Sequence, residues 1–302
     1  MKRVTLSLIA VCALLATAAL TRSSAASATA ASPSIPTLSF TFQAIDFPNV
    51  PRTLAVGINN EGDITGRYFD TAANIHGFLL HQGVFTTIDV PGALDTRAPC
   101  INDRGDIAGH FLDASFKRHG YLLHQGTFAP FDFPNATVTG AQGINNLGQI
   151  VGFYIDTSGA GHGFLRTSDG AFSTVDFPGG FNQNATSINE RGQIVGYYEN
   201  QAGTIAHGFL LTSGSFKTID FPGAFSETAP YGISNNGEIT GFYDDSNGVE
   251  HGFALRGGTF SSFDFPNAFN QEAFHVNDSG QIVGVYILHG LHGFVATPAP
   301  GM

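Results

Sequence analysis

The tripeptide His-Gly-Phe or His-Gly-Tyr begins at His76, His119, His162, His207, His251 and His292, at intervals of 43, 43, 45, 44 and 41 residues. Self-similarity at such a period means an array of one supersecondary unit, each copy burying its apolar face against its neighbours. A complete copy, His76 to Asp89, reads His-Gly-Phe-Leu-Leu-His-Gln-Gly-Val-Phe-Thr-Thr-Ile-Asp, two β-prone runs about a Gln-Gly turn. With 12% charged residues, 42% hydrophobic residues and 38 glycines, the chain has apolar surface to bury and glycine to turn and pack closely. The class these features favour is all-β.

Each unit holds four short runs. Run A is Phe-x-x-Ile-Asp-Phe-Pro or a variant, centred on Asp46, Asp89, Asp132, Asp176, Asp220 and Asp264. Run B ends in Ile-Asn or near it, from Ile58-Asn59 to Val276-Asn277; run C is Ile-Val-Gly-Tyr-Tyr or similar, as at Ile194 to Tyr198; run D is the His-Gly-Phe strand. Four strands per repeat with turn signals between them match a β-propeller blade. B to C passes through Asn-x-x-Gly and D to A through Gln-Gly or Ser-Gly, both tight, whereas A to B is the longest link. The longest link suits the crossing from an outer strand to the next inner one, so a blade is B, C, D and the following A. The expected architecture is therefore a six-bladed propeller of four-stranded antiparallel blades, in which the first A run, residues 40–47, completes the last blade and leaves no free edge.

In an antiparallel hairpin, residues that face each other have numbers of constant sum. His76 with Asp89, His119 with Asp132, His207 with Asp220 and His251 with Asp264 all centre on the turn dipeptide. His162 with Asp176 is one residue longer and needs a three-residue turn; His292 and Asp46 are left to each other by ring closure. A pair in every blade does not converge on one point as metal ligands must, so these residues read as structural cross-strand pairs.

The His-Gly-Phe and Ile-Asn-x-x-Gly-x-Ile-Val-Gly runs resemble the HAF-repeat proteins, a group of probable extracellular repeat proteins named for His-Ala-Phe. The resemblance covers about residues 40–296, with Gly in place of Ala in all six copies and no Trp anywhere. It implies export and a propeller-like repeat, and brings no reaction or catalytic residues with it.

Lys2 and Arg3, the apolar stretch Val4 to Leu20 and the small residues Ala26-Ser27-Ala28 read as a secretory signal peptide over residues 1–28. A linker over 29–38, the repeat domain over 39–297 and a tail over 298–302 follow. The expected location is extracellular or periplasmic, with no membrane span after processing. Removing Lys2, Arg3 and Arg22 takes the formal charge from −11 to −14, a surface that nucleic acid would repel. Cys100 alone would remain, so there is no disulfide framework, and a monomer is expected.

Departures from the repeat are better site candidates than the repeat itself. His275 and Cys100 replace small residues on the innermost strand and could line the central channel; Arg52, Arg97, Glu227 and Glu272 lie in the A to B links and could build a polar ligand site. Phe181, Phe225, Phe269 and Leu94 recur in those links and are expected to pack between blades. No cofactor is indicated, although Asp244 to Glu250 is rich enough in oxygen to suggest calcium. The reading that follows is a secreted, non-enzymatic module binding a small molecule, glycan or protein. The alternative is an extracellular hydrolase or lyase with its site at the channel mouth, marked by unlike polar residues with shifted pKa values.

Overall fold

Positive φ at both central residues of the D to A turn sets the register of four of the five D to A hairpins. Gln82 and Gly83 lie at 48° and 80°, Gln125 and Gly126 at 48° and 77°, and Gly257 and Gly258 at 55° and 87°, the two-residue turn whose twist matches the flanking strands. The longer copy closes with Thr167 bonded to the Ala171 carbonyl, enclosing three turn residues. The computed structural model describes residues 38–299, so the expected signal peptide, nearly all of the expected linker and residues 300–302 lie outside the described residues. Among the described residues every regular element is a strand.

Strand β1 (Phe40–Ile45) precedes a first set of β2 (Arg52–Ile58), β3 (Ile64–Phe69), β4 (Ile75–His81) and β5 (Val84–Ile88). The second set is β6 (Asp95–Ile101), β7 (Ile107–Leu112), β8 (Arg118–His124) and β9 (Thr127–Phe131); the third is β10 (Val138–Ile144), β11 (Ile150–Ile155), β12 (Gly161–Arg166) and β13 (Phe172–Val175). The fourth is β14 (Phe181–Ile188), β15 (Ile194–Glu199), β16 (Ala206–Thr212) and β17 (Ser215–Ile219); the fifth is β18 (Thr228–Ile233), β19 (Ile239–Asp244), β20 (Glu250–Arg256) and β21 (Thr259–Phe263). β22 (Gln271–Val276), β23 (Ile282–Ile287) and β24 (Leu291–Pro298) end the chain, and β1 pairs antiparallel with β24 from Phe40↔Pro298 to Ile45↔Gly293. The first strand thus supplies the fourth strand of the last set, and β24 runs one residue beyond the expected boundary at 297. Within each set all pairings are antiparallel, and single parallel bridges such as Ile75↔Asp95 tie neighbouring sets into a larger sheet.

Glycine in run C is a packing requirement. A Cβ at Gly66 would lie 1.9 Å from the Leu54 carbonyl oxygen, and Gly109, Gly152, Gly196, Gly241 and Gly284 meet the same obstruction at 2.0–2.2 Å. The ring of run D fills the core beside it: Phe78, Tyr121, Phe164, Phe209, Phe253 and Phe294 are all fully buried.

Each expected His–Asp pair is joined by hydrogen bonding, from His76 Nδ1 to Asp89 at 3.0 Å through His292 Nδ1 to Asp46 at 3.0 Å. The histidine also stacks on the run C aromatic, as His292 does on Tyr286 at 5.3 Å. The Phe that follows every Asp but Asp89, where Val90 stands, reaches into the next set. Phe47 stacks on Tyr68 at 3.9 Å and Phe221 on Tyr243 at 3.6 Å. The Asp-Phe dipeptide therefore holds its own set with the carboxylate and the next set with the ring.

Candidate functional site

The inner strands run from the A to B links at one axial end to the Asn-x-x-Gly turns at the other, and the two ends differ in kind. At the turn end a side-chain ring closes around the axis. Asn60 N donates to Asp103, Asp103 N to Asn146, Asn146 N to Glu190, Glu190 N to Asn235, Asn235 N to Asp278 and Asp278 N back to Asn60, all within 2.6–2.9 Å. Beneath it Asn59, Asn102, Asn145, Asn189 and Asn277 each donate a carboxamide hydrogen to the next unit's carbonyl, a circuit interrupted only at Ser234. These groups satisfy one another around a cavity of about 70 Å³, which is construction rather than chemistry.

The link end is asymmetric. Run C reads Ile-x-Gly-x-Tyr in most copies, and its second variable position carries Arg67, His110, Phe153, Tyr197, Phe242 or Val285. Opposite these on the inner strands stand Leu54, Arg97, Gly140, Asn184, Ala229 and Glu272. Arg67 on β3 feels Arg97 and Asp95 of the second set, Glu272 of the last and Tyr231 of the fifth. One guanidinium within electrostatic reach of three other sets lies near the axis.

The basic side is partly neutralised. Arg97 grips Asp95 with two hydrogen bonds, Nε to Oδ1 at 3.2 Å and Nη2 to Oδ2 at 3.0 Å, and Arg118 Nη2 reaches the same carboxylate at 3.4 Å. Arg67 is 6% exposed and, among the described residues, its guanidinium makes no hydrogen bond or ion pair, its nitrogens not being among the fully buried unpaired atoms. Burial, and then Arg97, lowers its pKa, but a guanidinium remains charged near neutrality. His110, buried beside it with Nδ1 3.3 Å from the Ala141 carbonyl, is held well below the usual imidazole range by burial and then by Arg118 and Arg97.

The acidic side answers it. Glu272 is 8% exposed and its carboxyl likewise has no hydrogen-bond partner among the described residues; burial, then Glu250, pushes its pKa up to about 8, against the pull of Arg67. Glu227 is raised to about 7 by burial and then by Glu250, Asp244 and Glu199. Glu250 is raised by burial, with its carboxylate 3.0 Å from Asn270 Nδ2. Tyr231 lies against Phe274 at 5.2 Å, Phe242 at 5.6 Å and Tyr197 at 5.9 Å, and Asn184 Nδ2 donates to the Tyr197 hydroxyl at 3.3 Å.

Of the residues singled out in sequence, Arg97, Glu227 and Glu272 meet here. Arg52 does not: its guanidinium lies 4.2 Å over the ring of Phe69 at the entry to β2. Cys100 is not a channel residue, because its thiol is 1% exposed in the core between the second and third sets and bonds the Ala108 carbonyl at 3.1 Å. His275 lines the cavity at the opposite, turn end and is lowered to about 4 by burial. The expected packing of the link aromatics fails as well. Phe181, Leu94, Phe225 and Phe269 are 47%, 47%, 66% and 70% exposed, because each link hydrogen-bonds outward to the neighbouring C to D corner, as Phe225 N does to the Asp244 carbonyl. In the oxygen-rich stretch Asp244 to Glu250, Asp245 Oδ1 accepts the Asn247 and Val249 amides while Asp244 accepts those of Ser226 and Glu227, so both carboxylates cap the chain's own turns. Arg67, Asp95, Arg118, His110, Tyr197 and Tyr231 were not foreseen, and Glu250 was singled out only as part of the oxygen-rich stretch; the variable position of run C was the signal that could have found Arg67.

No family model matches the chain, and no curated protein matches it. Solved structures do share its fold. A triple arginine-to-alanine mutant of AofleA from Arthrobotrys oligospora aligns at TM-score 0.50 and 13% identity over 88% of this chain and 94% of that one. TolB from Acinetobacter baumannii aligns at TM-score 0.56 and 13% identity over 78% of this chain and 64% of that one. The likeness is one of fold, and the fold is a β-propeller.

Proposed function

We propose that the chain is an exported six-bladed β-propeller of the HAF-repeat kind, closed by its first strand, that binds a small polar ligand at the axial end where the A to B links enter. One observation carries the reading. Arg67 and Glu272, on adjacent sets and both more than nine-tenths buried, lack hydrogen-bond partners among the described residues. Neither head group is among the fully buried unpaired atoms, so both reach solvent at this end with no partner in the fold, and the Arg67 guanidinium stays charged near neutrality. The turn end shows what the same scaffold does when polar groups have only structure to serve: there the side chains bond one another in a closed ring.

A hydrolase or lyase is the second reading, favoured by the Glu272 carboxyl, whose raised pKa suits a general acid. A thermal-shift screen of the purified chain against acidic sugars, neutral glycans, amino acids and divalent metals, repeated with Arg67→Met, tests the binding reading. A native-state ligand must raise the midpoint. The expected result is a shift with at least one carboxylate-bearing class, acidic sugar or amino acid, that Arg67→Met abolishes. A shift that survives Arg67→Met, or none with any class, refutes the axial site; turnover of the stabilising compound would promote the second reading.

A further inference from the structure

Resting on the axial site just described, we propose that its ligand is a small zwitterion of the amino-acid class, with its carboxylate at Arg67 and its ammonium among Glu272, Glu227 and Glu250. The arrangement of charge around the axis makes the case. The first and second sets contribute Arg67, Arg97 and Arg118 against the single carboxylate Asp95. The fifth and last sets contribute Glu227, Glu250 and Glu272, which repel one another and meet no cation at salt-bridge distance among the described residues. Opposite signs thus occupy adjacent arcs of one ring end, with Glu272 between Arg67 on one flank and the other two glutamates on the other.

A simple anion would gain at Arg67 and be repelled by the glutamates. A simple cation would meet the reverse. A ligand with both charges a few atoms apart gains on both arcs, and its ammonium would lie beside Tyr231 and Tyr197, whose ring faces also attract cations. Every titratable or charged group that acts on Glu272 enters the account: Arg67 on β3, Glu227 at the entry to β18, Glu250 on β20 and the Tyr231 hydroxyl on β18. An ammonium placed among these carboxyls favours their charged forms. Glu272, largely protonated at pH 7 when the site is empty, should therefore lose its proton as the ligand binds.

Calorimetric titration of the full chain at pH 7 tests this with glycine, β-alanine and γ-aminobutyrate as zwitterions of graded span. N-acetylglycine serves as the matched anion and glycinamide as the matched cation, each in phosphate and in Tris buffer. The expected result is that one zwitterion binds at least tenfold more tightly than both matched controls and releases roughly one proton, seen as a buffer-dependent heat. Glu272→Gln, nearly isosteric, should remove most of the proton release, leaving at most the part that Glu227 supplies, and reduce the zwitterion to the affinity of the anion. N-acetylglycine binding as well as any zwitterion, with dependence on Arg67, would leave the axial site standing and overturn the dipolar ligand. Zwitterion binding without proton release, or unchanged in Glu272→Gln, overturns it too. Binding by none of the probes removes the amino-acid class, while the broader screen decides separately whether the axial site binds anything.

Discussion

Raising the pH from 6.5 to 8 should destabilise this protein, and Glu272 should be the main reason. A carboxyl raised from 4.5 to about 8 by burial binds its proton more tightly folded than unfolded. Its stabilising contribution is complete below pH 4.5 and is lost as pH rises toward 8, at about 1.4 kcal/mol per pH unit. Glu227, raised to about 7, acts the same way over a shorter window. Buried histidine works in the opposite sense. His275 is lowered from 6.5 to about 4, so stability is lost as pH falls from 6.5 toward 4, and His110 adds to that loss. Between pH 4.5 and 6.5 the two kinds of group oppose each other and stability should be nearly level. At pH 6.5 an unfolded histidine is still half protonated, so the two buried histidines together return under ~1 kcal/mol between 6.5 and 7.5, and above that the glutamates act alone. From pH 6.5 to 8 Glu272 should remove about 2 kcal/mol and Glu227 under ~1 kcal/mol, lowering the melting midpoint by roughly 4–10 °C for a domain of this size. Calorimetric melting of wild type and Glu272→Gln at half-unit steps checks it. The variant cannot ionise, so its midpoint should fall by no more than about a third as much. A wild-type midpoint level across pH 6.5–8, or a variant that falls in parallel, refutes the assignment of these carboxyls to a buried, unpartnered site.

Three further outcomes follow from the scaffold. Tyr154→Ala removes the middle ring of the stack in which Phe133 lies 3.7 Å away on one side and His162 4.9 Å away on the other, and should cost about 3–5 kcal/mol by urea unfolding. Asp46→Asn, at the partly exposed pair that joins the first strand to the last, should cost under ~1 kcal/mol, whereas deleting residues 40–47 exposes the length of β24 and should abolish cooperative unfolding. Cys100, fully buried and with its thiol pushed up by burial, should react with an aromatic disulfide reagent only as fast as the chain unfolds.

The repeated features were legible because they are local. The facing of His76 with Asp89 depends only on a two-residue turn whose conformation Gln82-Gly83 dictates, and counting across that turn is enough to set the pair. Ring closure placed Asp46 with His292, 246 residues apart, once the A run was assigned to the blade that precedes it. What could not be read was the destination of the ring after each aspartate. Phe47 leaves its own set for Tyr68 of the next, a contact set by the spacing of neighbouring sheets, on which local periodicity is silent. The link aromatics failed for a related reason. Phe225 and Phe269 occupy the places a packed residue would, but the backbone there is bonded to the neighbouring corner and turns the rings outward.

The site was half legible, and the missing half explains why symmetric repeats hide function. Arg97 and Glu272 stood out only as isolated link charges, whereas both lie on inner strands, β6 and β22, where their side chains share the axial end. Arg67 joins them, and it occupies a position with five different residue types in six copies, so no single deviation marked it. A propeller brings the corresponding positions of all its units to one axis, so any residue that varies there faces five others that vary independently. The charges at the link end are divided by arc, with arginines on the first and second sets and glutamates on the fifth and last. That division sums to a dipole across the mouth, whereas the turn end closes on itself by hydrogen bonds. An exchange of charge between arcs, Arg67→Glu combined with Glu272→Arg, would preserve the number and kind of groups while reversing the local dipole. If the end serves only the fold, stability and binding should both survive the exchange. If it orients a ligand, stability should survive and binding should not, and melting and titration of that one double variant distinguish the two.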